Sequence, residues 1–255
     1  FHKIFYANGG MGKLFDDMLK DIDVRKSEEI KYIKKERDFY RLISNKNEYL
    51  SSKVVLNTPV FECSEIFLDE DIKNYYKKFE FYDQSAFVIY LKIDSQKEFL
   101  NHYQIILKDN IPNSLSNSFF VSFSHKDDGK LSKNGYSVTI SSHTKALFWN
   151  NLSKDEYETK KEFTTKFIID ELLKNISDIK KEDIKIEFSA TSKTFKRYIN
   201  RFNCGSTPLN LKNIFKIPSS ITPFKNLYNI GDSVFAGQGW PGVALGVKVL
   251  NQNLI

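Results

Sequence analysis

The stretch from Leu227 to Gly246 constrains this chain more than any other. Leu227 to Ile230 reads as a short apolar strand. Gly231 follows, a residue that lets the backbone turn sharply or come close to a ligand. Asp232 stands just past the strand's C-terminal end, where open α/β sheets place their ligands. After a glycine-rich loop comes Pro241, suited to the first position of a helix because a missing N–H costs nothing there. Val243, Ala244, Leu245, Val247, Val249 and Leu250 make that helix apolar nearly all round, a pattern that predicts burial. Strand, carboxylate, loop and helix start together form a site for a polar, electron-rich ligand. The carboxylate accepts from hydroxyls, and the free N–H groups of the helix start face negative charge.

Gly237-Gln-Gly239-Trp-Pro-Gly242 matches G-x-G-x-x-G literally. That fingerprint needs its first glycine directly after a strand and an acidic residue about 20 positions on. Here the strand ends several residues earlier, Asp232 intervenes, and too little chain follows for a βαβ unit. The Rossmann reading of these glycines is therefore rejected.

A chain of 255 residues with 41% hydrophobic content can hold one large domain or two small ones around a sizeable core. It has no run of about 20 apolar residues that would span a membrane, and no signal-peptide pattern. The two cysteines, Cys63 and Cys204, lie far apart and read as free thiols in a reducing compartment, which points to a cytoplasmic setting. His2, His102, His125 and His143 show no zinc-ligand spacing, so no metal site is expected. No G-x-S-x-G elbow or Cys–His signature supports nucleophilic catalysis. The net charge of +6 is spread over lysines interleaved with acids. That is the pattern of a solvated surface, with attraction to an anionic membrane as the functional alternative. Nucleic-acid binding finds no motif or basic helix face.

Taken in order, Gly9 to Gly12 lead into a helix over Lys13 to Ile22. Its Leu14, Phe15, Met18, Leu19 and Ile22 recur at helical spacing and predict a core-facing stripe. The glycines before it call for close approach to a ligand or a neighbouring element. Glu29–Ile33 and Asp38–Ile43 alternate like strands, a turn falls at Ser44-Asn-Lys-Asn, and Lys53–Leu56 reads as a buried strand ended by Asn57-Thr58-Pro59. From about Val60, aromatic and β-branched residues predict strands at Phe79–Phe81, Phe87–Ile93, His102–Leu107, Phe119–Ser124 and Tyr136–Ser142. The turn residues Asp127-Asp-Gly129 and Asn134-Gly135 make the last two a long-looped hairpin. Ser153-Lys-Asp-Glu156 is a capping box opening a helix, and Ile184–Phe188 is a further strand. The aromatics Phe119, Phe120, Phe123, Phe148 and Trp149 read mainly as core, with a greasy cavity as the alternative.

Three stretches carry a family resemblance. Leu227 to Ala244 resembles the C-terminal flavin motif of the phytoene desaturase, carotenoid isomerase and retinol saturase group of FAD-dependent oxidoreductases. Phe5-Tyr6-Ala7-Asn8-Gly9-Gly10-Met11-Gly12 resembles the group's central Gly-Gly-Met-Gly run. Thr191-Ser192-Lys193-Thr194-Phe195-Lys196-Arg197-Tyr198 is similar to its Thr-Pro-x-Thr-Phe-x-Arg-Tyr segment, with Ser192 in place of the proline. All three fall in the group's order.

The resemblance implies a fold of class α/β plus α+β: a partial FAD-binding, glutathione-reductase-like domain with an inserted antiparallel-sheet substrate domain. Residues 1–59 and 201–255 would supply the FAD-binding segments and 60–200 the substrate domain. It implies FAD as cofactor and a carotenoid or isoprenoid polyene as substrate, whose double bonds are desaturated, saturated or isomerised at a peripheral membrane surface. The implied cofactor-binding residues are Ile30 at the adenine, Gly231 and Asp232 at the ribityl or diphosphate region, and Gly239, Trp240, Pro241, Gly242 and Val243 at the helix start beside the flavin ring. No catalytic residue is assigned, because the flavin itself does the redox chemistry while the protein positions and tunes it. The group's N-terminal nucleotide-binding unit has no counterpart here, so this chain reads as the central and C-terminal part of a longer protein. Two alternatives stay open: a non-catalytic binding or scaffold module that keeps the fold, and an amine oxidase of the same superfamily.

Overall fold

The computed structural model describes residues 7–126, 128–201, 203–204, 217–235, 237 and 239–254. Phe5 and Tyr6 of the glycine-rich motif, Asp127 of the predicted turn, the loop residues 205–208, and Ala236 and Gln238 of the terminal motif lie outside them. In chain order the elements are α1 (Gly10–Met18), β1 (Ile30–Glu36), β2 (Phe39–Ser44), β3 (Glu48–Ser51), β4 (Val54–Leu56), a 3-10 turn (Val60–Ile66) and α2 (Glu70–Tyr76). Then come β5 (Ser85–Asp94), β6 (His102–Ile106), β7 (Ser118–Phe123), β8 (Gly135–Thr144), α3 (Ala146–Asn150), α4 (Lys154–Asn175), β9 (Ile184–Ala190), α5 (Ser192–Ile199), β10 (Leu227–Asn229) and α6 (Gly239–Leu254). Two compact units result, one of Phe1–Val24 with Asp83–Cys204, the other of Arg25–Tyr82 with Gly205–Ile255.

The first unit is built on a five-stranded sheet in the order β6-β7-β8-β5-β9, antiparallel throughout. Period-two alternation sends Phe87, Ile89, Leu91 and Ile93 of β5 into the core with Phe119, Val121 and Phe123 of β7 and Tyr136, Val138 and Ile140 of β8. Ile168, Ile169 and Leu172 of α4 complete that core. The predicted capping box opens α4: Ser153 Oγ accepts from the Glu156 N–H at 3.4 Å, and the Glu156 carboxylate accepts from the Ser153 N–H at 3.1 Å. Of the aromatics singled out, Phe119, Phe123 and Trp149 are core, Phe148 packs against it, and Phe120 is exposed. Trp149 donates its indole N–H to Thr144 Oγ1 at 2.8 Å, so its one polar atom is satisfied.

Helix α1 corrects an expectation. Its apolar stripe is not core: no α1 residue is buried, and Met11, Phe15, Met18, Leu19 and Ile22 are all exposed. The helix ends at Met18, so the last two members of the stripe fall in the turn beyond it. The glycines before it do serve a neighbouring element. Gly9 and Gly10 take φ of +81° and +80°, and ideal Cβ atoms on them would lie 2.9 Å from the Lys130 and Leu131 side chains respectively. The Gly9 N–H donates to Asp128 Oδ2 at 2.8 Å.

The second unit holds the antiparallel meander β1-β2-β3 and a two-stranded parallel sheet of β4 and β10. Ile33, Tyr40, Val54, Leu56, Cys63, Phe67, Ile72, Tyr76, Leu227 and Val234 share one core. The predicted turn closes β2 onto β3, where Ser44 Oγ accepts from the Asn47 N–H at 2.7 Å. Two expectations fail here. Phe79–Phe81 is not a strand, because it lies in irregular chain after α2; Phe79 and Phe81 instead pack edge-on against Tyr75 and Phe61. Helix α6 forms but is not buried all round: Gly246 and Leu250 are covered, whereas Trp240, Leu245, Val247 and Val249 are exposed. An apolar circumference shows only that a helix can be buried; the burial itself needs a neighbour on every side. Among the described residues no helix is long and apolar enough to cross a membrane.

Candidate functional site

The site grows from the parallel pair. Leu227, Tyr228 and Asn229 align with Val54, Val55 and Leu56, so both strands run out at the same edge. The Ile230 N–H donates to Leu56 O at 2.8 Å and extends the ladder by one residue. Gly231 then takes φ +110°, and an ideal Cβ placed on it would lie 2.5 Å from Asn57 Oδ1. Glycine is required here twice, for its backbone conformation and for the room it leaves.

Asp232 follows, half-buried, on a turn fixed on its far side. Ser233 Oγ accepts from the Val60 N–H at 3.2 Å, which fastens the turn to the start of the 3-10 segment after β4. Val234, 1% exposed, drops its side chain into the core, and its N–H reaches Gly231 O at 3.3 Å. The carboxylate is thus held at the C-terminal edge of a parallel sheet, the position the sequence predicts for it.

Beneath the edge lies a buried polar pair. Tyr76 of α2 donates its hydroxyl to Asn229 Oδ1 at 2.7 Å, and neither residue is exposed to solvent. Burial raises the Tyr76 phenol well above its ordinary range, so it stays a neutral donor. The Asn229 N–H donates to Ser220 O at 2.9 Å. Nearby, Cys63 has its Sγ 3.5 Å from Pro59 O. Burial, with Glu62 adding to it, pushes this thiol up to about 12, which leaves it protonated and inert at neutral pH. Cys63 and Cys204 are both free.

Helix α6 starts at Gly239, whose φ is +71°. Pro241 is its third residue rather than its first, a shift within the usual uncertainty of helix ends. It still lies in the first turn, where its missing N–H removes no intrahelical bond. Gly242 and Val243 are half-buried; Trp240 is 49% exposed.

Ile30 is the first residue of β1, beside a register shift between Ile30 and Tyr32, and packs against the same core as β4 and β10. The chain leading into it is stapled by Glu28. Its Oε1 accepts from Ser44 Oγ at 2.5 Å, Tyr49 OH at 2.7 Å and Asn47 Nδ2 at 3.0 Å. The Ser44 hydroxyl foremost, then Tyr49 and Asn47, hold the Glu28 carboxyl down to about 2. Arg25 stacks over the Tyr49 ring at 4.8 Å.

The structure therefore gathers Gly231 and Asp232 with Asn57 and Val60 at one edge. It sets Gly239, Trp240, Pro241, Gly242 and Val243 at the start of the next helix, and Ile30 on a separate sheet over the shared core. Asn57, Ser233 and the Tyr76–Asn229 pair were not singled out by the sequence. Asn57 shows there only as a turn residue after a strand, and Tyr76 gives no signal at all. Among the described residues, no three of His, Cys, Asp or Glu come together as a metal-binding group.

No family model matches the chain. By sequence it is a distant homologue of prolycopene isomerases. It is 29% identical over 224 residues to chloroplastic prolycopene isomerases 1 and 2 of an Oncidium hybrid cultivar, a match that covers 79% of this chain and 36% of each relative. The chloroplastic prolycopene isomerase of Daucus carota is 33% identical over 99 residues, 38% of this chain. The chain thus spans little more than a third of the length of the curated relatives it matches over most of its residues. Among solved structures its fold is similar to that of putrescine oxidase bound to putrescine (TM-score 0.57, 12% identity, 96% of this chain and 53% of that one). It is likewise similar to a fatty acid isomerase from P. acnes that produces CLA (TM-score 0.54, 11% identity, 96% and 52%). A putative protoporphyrinogen oxidase from Exiguobacterium sp. 255-15 also matches (TM-score 0.54, 11% identity, 96% and 51%). The relation to carotenoid isomerases read from three motifs thus extends over most of the chain.

Proposed function

We propose that this chain forms the flavin-ring side and the substrate domain of an FAD-dependent oxidoreductase. Its substrate is a carotenoid or other isoprenoid polyene, and its reaction desaturates, saturates or isomerises carbon–carbon double bonds. The arrangement proposed is glutathione-reductase-like, with the unit of Arg25–Tyr82 and Gly205–Ile255 binding FAD and the unit of Phe1–Val24 and Asp83–Cys204 as the α+β substrate domain, which shifts the boundaries of 1–59, 60–200 and 201–255 expected from the sequence. The nucleotide-binding unit comes from outside these 255 residues, and the assembled protein meets its lipid substrate peripherally at a membrane.

The observation that carries this reading is the Gly231-Asp232 turn at the common end of β4 and β10. A Cβ at Gly231 would strike Asn57 Oδ1, so the glycine lets the two strand ends close on each other, and the half-buried carboxylate that follows it is offered at that edge as an acceptor for a polyol. Bound flavin supplies the hydride or electron-pair acceptor. Asp232 accepts from ribityl hydroxyls and fixes the cofactor's register. The start of α6, at Pro241, Gly242 and Val243, would present the positive end of a helix dipole where a reduced ring carries negative charge. The relation to prolycopene isomerases supports the substrate class.

The test is Asp232→Ala in the full-length protein. It removes an acceptor for ligand hydroxyls and little packing. Flavin content per purified protein should fall severalfold while the far-ultraviolet circular dichroism and melting temperature hold. Undiminished flavin content in the mutant would remove Asp232 from the site and with it the main support for the reading.

A further inference from the structure

We propose that Asn57 is a binding residue of the same site, its Nδ2 group donating a hydrogen bond to a ribityl hydroxyl of the ligand that Asp232 holds. This rests on the flavin reading above and extends it to a residue that no motif marks.

Three observations carry it. First, Asn57 is the residue directly after β4, and the register of Leu56 with Asn229 sets it alongside the Ile230–Gly231 step at the ligand edge. Second, its carboxamide has a definite orientation. The three nearest atoms to an ideal Gly231 Cβ are Asn57 Oδ1 at 2.5 Å, Cγ at 3.7 Å and the Asn57 carbonyl oxygen at 3.9 Å. Nδ2 is further off, so the oxygen lies over Gly231 and the amide nitrogen is turned away from it. Third, Asn57 is exposed, and among the described residues no hydrogen bond is made by its side chain. An asparagine after a strand ordinarily uses its amide to cap its own turn; this one leaves two donors open, and Asp232 is the residue that follows the glycine it covers.

That pairing selects a chemistry. A carboxylate accepts only, and an amide nitrogen donates only. A hydroxyl is the group that can use both, donating to a lone pair of Asp232 and accepting from Asn57. A phosphoryl oxygen could use Asn57 but would be repelled by Asp232. The fit is to a chain of vicinal hydroxyls.

The experiment compares riboflavin, which has the ribityl chain and no phosphate, with FAD. Both are titrated by fluorescence quenching into the full-length apoprotein, for the wild type, Asn57→Ala and Asn57→Asp. Losing one neutral hydrogen bond should weaken both ligands about threefold to tenfold in Asn57→Ala. Asn57→Asp keeps the side-chain shape and replaces the donor with a second carboxylate, so it should weaken both ligands more than tenfold at unchanged melting temperature. If Asn57→Asp binds both ligands like the wild type, Asn57 merely packs on Gly231 and the inference is wrong. If only FAD is weakened, the contact is to phosphate and the inference is equally wrong. In either case Asp232→Ala still reports on the flavin reading separately. A wild-type protein that binds neither ligand would end both.

Discussion

Replacing Tyr76 by Phe isolates one buried hydrogen bond beneath the site. The ring stays, with its stacking on Phe67 at 5.4 Å and its edge contact with Tyr75 at 5.1 Å. Only the hydroxyl that donates to Asn229 Oδ1 at 2.7 Å is lost. Because Asn229 is 1% exposed, water cannot take the donor's place without opening the core. The cost is therefore set by the desolvation of an acceptor left alone, about 1–3 kcal/mol, rather than by the smaller net value of a bond exchanged with water. We expect about 2 kcal/mol, a fall in melting temperature of roughly 4–8 °C for a chain of this size. Urea unfolding followed by tryptophan fluorescence and by circular dichroism gives the number. Asn229→Leu closes a double-mutant cycle by pairing two apolar groups, and the double variant should recover about 1–2 kcal/mol relative to the sum of the singles. A Tyr76→Phe variant within about 0.5 kcal/mol of wild type, or an additive cycle, would refute the reasoning.

Two pH dependences follow from the same unit and run in opposite directions. The Cys63 thiol is raised from 9.0 to about 12 by burial, so its contribution is complete below pH 9 and is lost as pH climbs through 12, at most about 4 kcal/mol. Cys63→Ala should flatten the fall in stability between pH 9 and 12, as read by urea midpoints; an unchanged profile counts against it. Glu28 is lowered from 4.5 to about 2 by its hydroxyl and amide donors, so its contribution is complete above 4.5 and disappears as pH drops through 2. Glu28→Gln should lose stability at neutral pH and show a shallower acid limb, and hydrogen exchange in β2 and β3 should locate the loss there.

Much of the architecture was legible because local chemistry and final packing agree. The alternation of Phe87 to Ile93 survives as the core face of β5, and Ser153 with Glu156 caps α4 as written. What failed had no local signature. The sequence of α2 offers seven residues, too few to show a period, so the helix that brings Tyr76 under Asn229 went unseen. Phe79 to Phe81 look like a strand because aromatics favour strands, yet tertiary packing places them as lids on Tyr75 and Phe61. The parallel pairing of Val54–Leu56 with Leu227–Asn229 joins segments far apart in the chain. Sequence gives each strand but not their partnership, and so it places Asp232 at a strand end while showing Asn57 only as a turn residue.

The same pairing bears on what must cover this unit. Parallel sheets occur almost only where both faces are packed, because crossover helices lie on them. A two-stranded parallel sheet is therefore the part of a unit least able to stand alone. In β4, Val54 and Leu56 are buried while Val55 between them is 44% exposed, and α6 shows Leu245 and Val247 at 48% and 43%. Scattered exposed apolar residues are ordinary, but a strand face and a helix that is apolar on nearly every side are surfaces that a larger sheet normally covers. The hydrogen bonds of Val54 and Leu56 run to β10: Val54 N–H to Asn226 O at 2.9 Å, and Leu56 O from Ile230 N–H at 2.8 Å. By the geometry of parallel ladders, the N–H and C=O of Val55 then point to the opposite edge. Among the described residues the sheet ends at β4 on that side. A strand there would satisfy the Val55 N–H and C=O, whereas the Val55 side chain stands on a sheet face and is covered only by a layer packed on that face.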